Sequence, residues 1–135
     1  MSVFVDTSGL IALLDADDAA HGDCRESWRM ATESASGLVT TDYVLLETVA
    51  VAQRRWGLDA VRTVVNEFLP LIEVDRVSAD DRAAALTALL AAGRRRLSLV
   101  DCVSFAVMRR AGIRDYLGLD PHFDEQGFMR CAPEG

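Results

Sequence analysis

Four carboxylates of this chain stand alone at the end or in the middle of apolar segments. They are Asp6, Glu47, Asp101 and Asp120. A carboxylate on a buried surface raises the free energy of the folded state unless it is paired, hydrogen-bonded or bound to a metal. If the four acids converge, their oxygen atoms would bind a hard divalent cation, Mg²⁺ or Mn²⁺ in preference to zinc. The two histidines, His21 and His122, lack the H-E-x-x-H spacing of a zinc site.

A divalent ion of this kind suits the hydrolysis of phosphodiester bonds. It neutralises the charge that develops on the phosphate, and it lowers the pKa of a bound water molecule. The 14 basic residues are all arginine, and the absence of lysine excludes P-loop phosphate binding and Schiff-base catalysis. A phosphatase with Asp6 as its nucleophile is excluded as well, because it needs a lysine and an acid two residues after Asp6. Cleavage of a nucleic-acid backbone is therefore the predicted chemistry, although the net charge of −7 argues against unselective binding to nucleic acid.

Three of the four acids also have a structural explanation. Asp6 and Asp120 are suited to cap the amino end of a helix, and Asp101 is the third position of a capping box that Ser98 opens. Glu47 has no such explanation, because a residue in the middle of an apolar helix gains nothing from a cap or from the helix dipole. The occurrence of four such acids in one short chain favours a shared functional role.

The elements that must position these acids alternate between strands and helices. Strands are predicted at residues 3–6, 38–40, 71–74 and 115–119, with a short fifth strand at 128–131. Helices are predicted at 8–14, 21–35, 42–55, 58–69, 78–92 and 98–111, the last two opened by capping boxes. This alternation indicates an α/β fold with a parallel, doubly wound sheet of four to five strands flanked by helices. Ligands of such sheets bind beyond the carboxyl ends of the strands, where Asp6 and Asp120 are expected.

Size and composition indicate a single cytoplasmic domain. The 135 residues, of which 50% are hydrophobic, suffice for one core, so we predict one domain spanning residues 1–135. No apolar run has the roughly 18 residues of a membrane span, and no basic leader precedes the first strand. The three cysteines, Cys24, Cys102 and Cys131, are widely spaced and lack a C-x-x-C pair. We expect them to be reduced, structural thiols.

Four motifs, in this order along the chain, resemble those of the PIN-domain ribonucleases of the VapC toxin class. They are the segments 3–8 (VFVDTS), 41–47 (TDYVLLE), 97–106 (LSLVDCVSFA) and 120–128 (DPHFDEQGF). The resemblance implies a Mg²⁺-dependent endoribonuclease that acts on RNA. It further implies the toxin of a toxin-antitoxin pair, a homodimer held inactive by a small cognate antitoxin protein. The same matching places Asp6, Glu47, Asp101 and Asp120 on the metal-binding acids of the family, with the hydroxyl of Thr7 or Ser8 close to Asp6.

One position departs from the family pattern. The family commonly has threonine or serine two residues before the fourth acid, where this chain has Gly118. A hydroxyl there would support a metal-bound water or a carboxylate, so its absence is expected to weaken metal binding. On this expectation, a Gly118→Thr substitution lowers the metal concentration needed for cleavage.

Two alternatives to a toxin nuclease remain at this stage. One is a non-catalytic binding protein that keeps the fold and offers its acidic groove to a partner, and the other is a housekeeping RNA-processing nuclease. The run Arg94-Arg95-Arg96 has two interpretations as well. It either guides an RNA backbone toward the metal or forms a solvated helix end with cations near the carboxyl terminus of the helix.

Overall fold

The computed structural model describes residues 2–34 and 37–133. Its centre is a sheet of five parallel strands in the spatial order β3-β2-β1-β4-β5. The strands are β1 (Val3–Val5), β2 (Leu38–Thr41), β3 (Ile72–Asp75), β4 (Asp115–Leu117) and β5 (Met129–Arg130). The sheet grows from β1 in one direction to β3 and then in the other direction to β5. The predicted doubly wound α/β fold is confirmed, and its switch point lies between β1 and β4.

Seven α-helices flank the sheet in the described part of the chain. They are α1 (Thr7–Leu14), α2 (His21–Glu33), α3 (Asp42–Trp56), α4 (Leu58–Thr63), α5 (Ala79–Ala92), α6 (Leu99–Ala111) and α7 (Pro121–Glu125). Gly93 and Gly112 end α5 and α6 in the left-handed conformation that glycine adopts without strain, as predicted. The helix predicted at 21–35 ends at Glu33, and Ala35 lies outside the described residues.

Two elements differ from their prediction. The helix expected at 58–69 continues only to Thr63, where a π-helical turn (Val64–Phe68) and a 3₁₀ turn (Leu69–Leu71) follow. Pro70, which cannot donate a helical hydrogen bond, lies in the second of these turns. The capping box expected at Ser78 forms only by half. Ser78 accepts a hydrogen bond from the Asp81 backbone N–H, but the Asp81 carboxylate binds the Arg110 guanidinium instead.

An aromatic cluster lies under the end of the sheet where β1 and β4 finish. Phe123 of α7 is fully buried, and its ring centroid lies 4.7 Å from that of Tyr116 and 4.9 Å from that of Phe105. Phe4 and Phe128 complete the cluster. Burial of aromatic area on this scale fixes α7 against the sheet. The residues next to Phe123 are therefore held in a defined position.

Two further features of the described chain concern its helices and its cysteines. None of the helices in residues 2–34 and 37–133 has both the length and the apolar character needed to cross a bilayer. Cys24 and Cys102 are buried and Cys131 is half-buried, and all three are free thiols. Burial raises the pKa of each thiol, that of Cys131 to about 11. This agrees with the structural, unreactive role that was predicted for them.

Candidate metal centre

Two of the predicted acids follow neighbouring central strands. Asp6 comes directly after β1, and Asp120 comes three residues after the end of β4. The two strands are paired in parallel with Val5 opposite Leu117, so their carboxyl ends meet at one edge of the sheet. Asp101, in the first turn of α6, reaches the same edge from a helix. Three acids from distant parts of the sequence thus surround the switch point of the sheet.

Asp6 is a helix cap and a buried acid at once. Its Oδ2 atom accepts hydrogen bonds from the Ser8 backbone N–H at 3.3 Å and from the Ser8 hydroxyl at 2.7 Å. Only 3% of the residue is exposed. Burial, and then the negative charges of Asp101 and Asp120, raise the pKa of Asp6 to about 7, against the opposing effect of the Ser8 hydrogen bonds. A nearby cation would reverse this shift, because it favours the ionised carboxylate.

Asp101 occupies the capping box that the sequence predicted. Its Oδ2 accepts from the Ser98 backbone N–H at 3.2 Å, and the Ser98 hydroxyl accepts from the Asp101 backbone N–H at 3.0 Å. Burial, followed by the charge of Asp120, raises the pKa of Asp101. The structural and functional interpretations of this residue are therefore compatible. The Oδ2 atom that accepts the capping bond is also the Asp101 oxygen that lies 3.7 Å from His122 Nδ1.

Asp120 caps α7, and His122 in the first turn of this helix lies next to the Asp120 carboxylate. Asp120 Oδ1 accepts a hydrogen bond of 2.9 Å from the His122 backbone N–H. The Nδ1 atom of His122 lies 3.0 Å from Asp120 Oδ1 and 3.7 Å from Asp101 Oδ2. Ligand atoms of these three residues all lie within 4.8 Å of one another. This group is the one set of potential metal ligands found among residues 2–34 and 37–133, and its donors fit a divalent cation.

His122 was missed by the sequence analysis, which considered only the spacing of zinc motifs. The sequence signal that could have identified His122 is its position two residues after Asp120, a predicted helix cap. A carboxylate that caps a helix accepts from the backbone N–H two or three residues later, which brings that residue close to the acid.

Glu47 lies on the middle of α3, as predicted, and is half-buried. It lines a shallow apolar cavity that also includes Tyr43, Leu46 and Val100. Val100 precedes Asp101, and the next residue of α3, Thr48, donates a hydrogen bond of 3.5 Å to the Thr7 hydroxyl. Glu47 therefore shares a cavity with Val100, the residue before Asp101, but neither Glu47 nor Asp6 belongs to the group of ligand atoms within 4.8 Å.

Of the two hydroxyls expected near Asp6, Ser8 supplies the contact. Its Oγ donates to Asp6 and also accepts a hydrogen bond of 2.8 Å from the Leu119 backbone N–H. Thr7 instead faces Thr48. Ser8 thus connects the residue after β1 to the segment that leads to Asp120.

The arginine run lies near this edge without entering the acid group. Arg94 forms an ion pair of 2.7 Å with Glu125 at the end of α7. Arg95 and Arg96 are exposed. Both lie just before Ser98, the residue that caps the helix of Asp101. Arg95 and Arg96 therefore offer exposed positive charge a few residues before Asp101 in the sequence.

Comparison with known proteins agrees with this arrangement. The model of the PIN-domain family matches residues 3–128, which is nearly the whole chain. The chain belongs to the PIN-domain family. The family predicted from the sequence is thus confirmed.

Two known proteins, one of them compared by both sequence and structure, resemble this PIN domain along its length. The 23S rRNA-specific endonuclease VapC20 of Mycobacterium tuberculosis is 35% identical over 133 residues, which cover 98% of this chain and 99% of VapC20. The crystal structure of that protein, described as a toxin that cleaves the sarcin-ricin loop, superposes with a TM-score of 0.85, covering 97% of this chain and 99% of VapC20.

The second is VapBC2 from Rickettsia felis, solved bound to a DNA fragment from its promoter, with a TM-score of 0.72. It is 11% identical, and the match covers 96% of this chain and 97% of that chain. At this identity the likeness shows the fold alone.

Proposed function

We propose that this PIN domain is a metal-dependent endoribonuclease and the toxin of a toxin-antitoxin pair. The observation that carries the proposal is the convergence of buried acids from β1, α6 and α7 on the switch point of the sheet. The residues proposed to hold its Mg²⁺, for which Mn²⁺ can substitute, are Asp6, Glu47, Asp101 and Asp120. The 35% identity with an rRNA endonuclease over nearly the whole chain supports the activity.

Each residue of the site has a task that follows from its contacts. The hydrogen bonds from Ser8 fix the orientation of Asp6, and those within the capping box fix Asp101. When a divalent cation is bound, it supplies charge neutralisation at the phosphate and acidifies a water molecule. Because burial raises the pKa of Asp6 to about 7, we expect binding of the cation near pH 7 to displace the proton from the fraction of Asp6 that is still protonated.

The surrounding surface supports RNA as the substrate. Arg95 and Arg96 are exposed and precede Ser98, the cap of the helix of Asp101, and exposed guanidinium groups can hold a phosphate backbone. With a net charge of −7, the protein binds RNA through such a local basic surface rather than through its overall charge. Since VapC20 is named for its action on 23S rRNA, this RNA is the first substrate to test.

The experiment is cleavage of purified 23S rRNA by the full chain in Mg²⁺ and in EDTA. Asp6→Asn and Asp120→Asn should each reduce the rate by at least roughly 100-fold, since they remove a ligand charge without changing side-chain volume. Asp18→Asn is the matched control, because Asp18 accepts a backbone hydrogen bond from Ala20 at 2.8 Å in the same type of turn but is outside the group of potential metal ligands. Wild-type rates in Asp6→Asn, or cleavage that persists in EDTA, would refute the metal site.

We propose further that the protein forms a homodimer and binds a small cognate antitoxin in the cytoplasm. Large apolar side chains that project into solvent support protein partners. Leu90 on α5 is 80% exposed, and Leu46 on α3, next to Glu47, is 72% exposed. Size-exclusion chromatography with light scattering, alone and after co-expression with the product of an adjacent short reading frame, tests both contacts. A monomer that neither binds nor is inhibited by that product would instead favour a housekeeping RNA-processing role.

A further inference from the structure

His122 has a ring nitrogen that the hydrogen-bonding network leaves unused. Its Nδ1 atom is buried and has no hydrogen-bond partner among residues 2–34 and 37–133. Only 14% of the side chain is exposed. A buried polar atom without a partner costs free energy, so such an atom in a folded protein calls for an explanation. The atom faces two carboxylates, which is where a cation would sit.

The distances around Nδ1 agree with a shared metal ion. Adjacent ligands of an octahedral ion with bonds of about 2.1 Å lie about 3.0 Å apart. Nδ1 lies 3.0 Å from Asp120 Oδ1 and 3.7 Å from Asp101 Oδ2, and ligand atoms of the three residues all lie within 4.8 Å of one another, which is close enough to share one ion. The short Nδ1–Oδ1 distance lacks the angle of a hydrogen bond, which leaves the lone pair of a neutral imidazole available to a cation.

The backbone holds His122 in this place before any ion arrives. Pro121 occupies the first helical position of α7, and the His122 N–H is bound to Asp120. Phe123, the next residue, is fully buried in the aromatic cluster. The imidazole is thus fixed between two anchored neighbours. Such preorganisation is what a protein ligand of a metal requires.

We propose that His122 is a nitrogen ligand of the metal through Nδ1, and that this site therefore prefers Mn²⁺ to Mg²⁺. An imidazole nitrogen favours first-row transition ions over Mg²⁺, whereas the carboxylates accept both classes. The proposal rests on the metal site proposed above and adds an identity for the ion. In the opposing case, His122 contacts the two acids only in the metal-free protein and stays outside the coordination sphere when a metal binds.

Electron spin-echo envelope modulation of Mn²⁺ bound to the full chain separates these cases. A directly bound imidazole gives a ¹⁴N modulation, and the chain contains only two histidines, His21 and His122. We expect the modulation in wild type, its loss in His122→Asn, and its retention in His21→Asn. His21 is the matched control because its Nδ1 is bound to the Ala12 carbonyl oxygen at 2.7 Å. A Mn²⁺ spectrum of the wild type without ¹⁴N modulation would overturn the role of His122 while leaving the acid site intact.

Calorimetric titration with Mn²⁺ and with Mg²⁺ gives the second measurement, independent of RNA cleavage. His122→Asn offers an amide oxygen near the position of Nδ1, so the Mg²⁺ affinity should change little. The Mn²⁺ affinity should fall by about tenfold or more, which removes the preference. Equal losses for both ions would show a structural role only and would overturn the proposal. Failure of the wild type to bind Mn²⁺ at all would overturn the metal site itself.

Discussion

The hydroxyl of Ser8 occupies the space beside Gly118. A Cβ atom added at Gly118 would lie 2.9 Å from Ser8 Oγ and 3.1 Å from Asp6 Cβ. Gly118 is not among the glycines with positive φ, so backbone conformation does not require a glycine there. The space for a side chain at position 118 is limited by Ser8 and Asp6. In addition, the Ser8 hydroxyl already donates to Asp6 the hydrogen bond that a hydroxyl at position 118 was expected to make. The expectation that Gly118→Thr strengthens metal binding is therefore reversed.

We predict that Gly118→Ser weakens metal binding and lowers stability by about 1–3 kcal/mol, the usual cost of an added group in a filled space. Ser8→Ala should also lower stability, by about 1 kcal/mol, because it removes the hydrogen bonds to Asp6 and Leu119. The double variant Ser8→Ala/Gly118→Ser should lose less than the sum, since the new hydroxyl enters the vacated space. Urea unfolding of all four proteins measures this coupling, and additive losses would contradict it.

The pKa of Asp6 predicts how the metal-free protein responds to pH. The carboxyl ionises near 3.8 in the unfolded chain and at about 7 in the folded protein. Between these values the folded state holds a proton that the unfolded state has released, so stability falls as pH rises from about 4 to about 7. In EDTA the wild type should be less stable at pH 8 than at pH 5.5. Asp101, whose pKa is also raised, contributes in the same direction.

Asp6→Asn cannot ionise, so at pH 8 in EDTA it should be more stable than wild type even though it cleaves no RNA. Saturating metal should abolish this advantage, because the cation stabilises the wild type by binding only its folded state. Asp18→Asn controls for the change in net charge. Chemical unfolding at pH 5.5 and pH 8 measures the free energy of unfolding of each protein. If its pH dependence were the same in Asp6→Asn and in the wild type, Asp6 would already be ionised in the folded protein.

The ion pair between α5 and α6 predicts a loss of stability without loss of the site. The Asp81 carboxylate, 10% exposed, accepts three hydrogen bonds from the Arg110 guanidinium at 2.9 to 3.2 Å. Asp81→Asn should lower the free energy of unfolding by about 1–2 kcal/mol. Glu33→Gln, which breaks an exposed pair with Arg29, should produce no measurable change. Thermal unfolding compares the two variants, and equal effects would mean that burial of Asp81 contributes nothing.

The aromatic cluster predicts a linked loss of stability and metal affinity. Phe123→Ala removes a fully buried ring and should cost about 3–5 kcal/mol. It also loosens α7, which carries both Asp120 and His122, so the metal affinity should fall in the protein that remains folded. Phe123→Leu should retain more of both properties. The control is Leu90→Ala, because Leu90 is exposed and its loss should change neither property. Titration with Mn²⁺ at low temperature measures the metal affinity, and circular dichroism shows whether each variant is folded. Unchanged metal affinity in folded Phe123→Ala would disconnect the cluster from the site.

Local signals accounted for most of the elements and for the position of the acids. The capping box at Ser98 and the glycines that end α5 and α6 depend on neighbouring residues, so the sequence reveals them directly. The helix that begins at Leu58 was predicted too long. Its apolar residues have helical spacing up to Leu69, and this spacing does not show where an α-helix changes into a π-helical turn.

The contacts that escaped prediction are those made across the fold. Asp81 turns from its own helix cap to Arg110, 29 residues away, because the guanidinium is a stronger partner than a backbone N–H. Likewise, no spacing rule shows that Ser8 touches Leu119, or that His122 faces Asp101. These pairings arise only once β1 and β4 lie side by side, so they belong to tertiary packing rather than to sequence pattern.

The pairing of β1 with β4 also has a consequence during synthesis. Synthesis reaches Asp6 before β2, β3 and β4, and Asp6 meets Asp120 only after β4 has joined the sheet. Until then, the growing polypeptide has neither the pairing of β1 with β4 nor the acids assembled at their edge. A nascent chain that ends before β4 is therefore expected to hold no divalent cation at this edge.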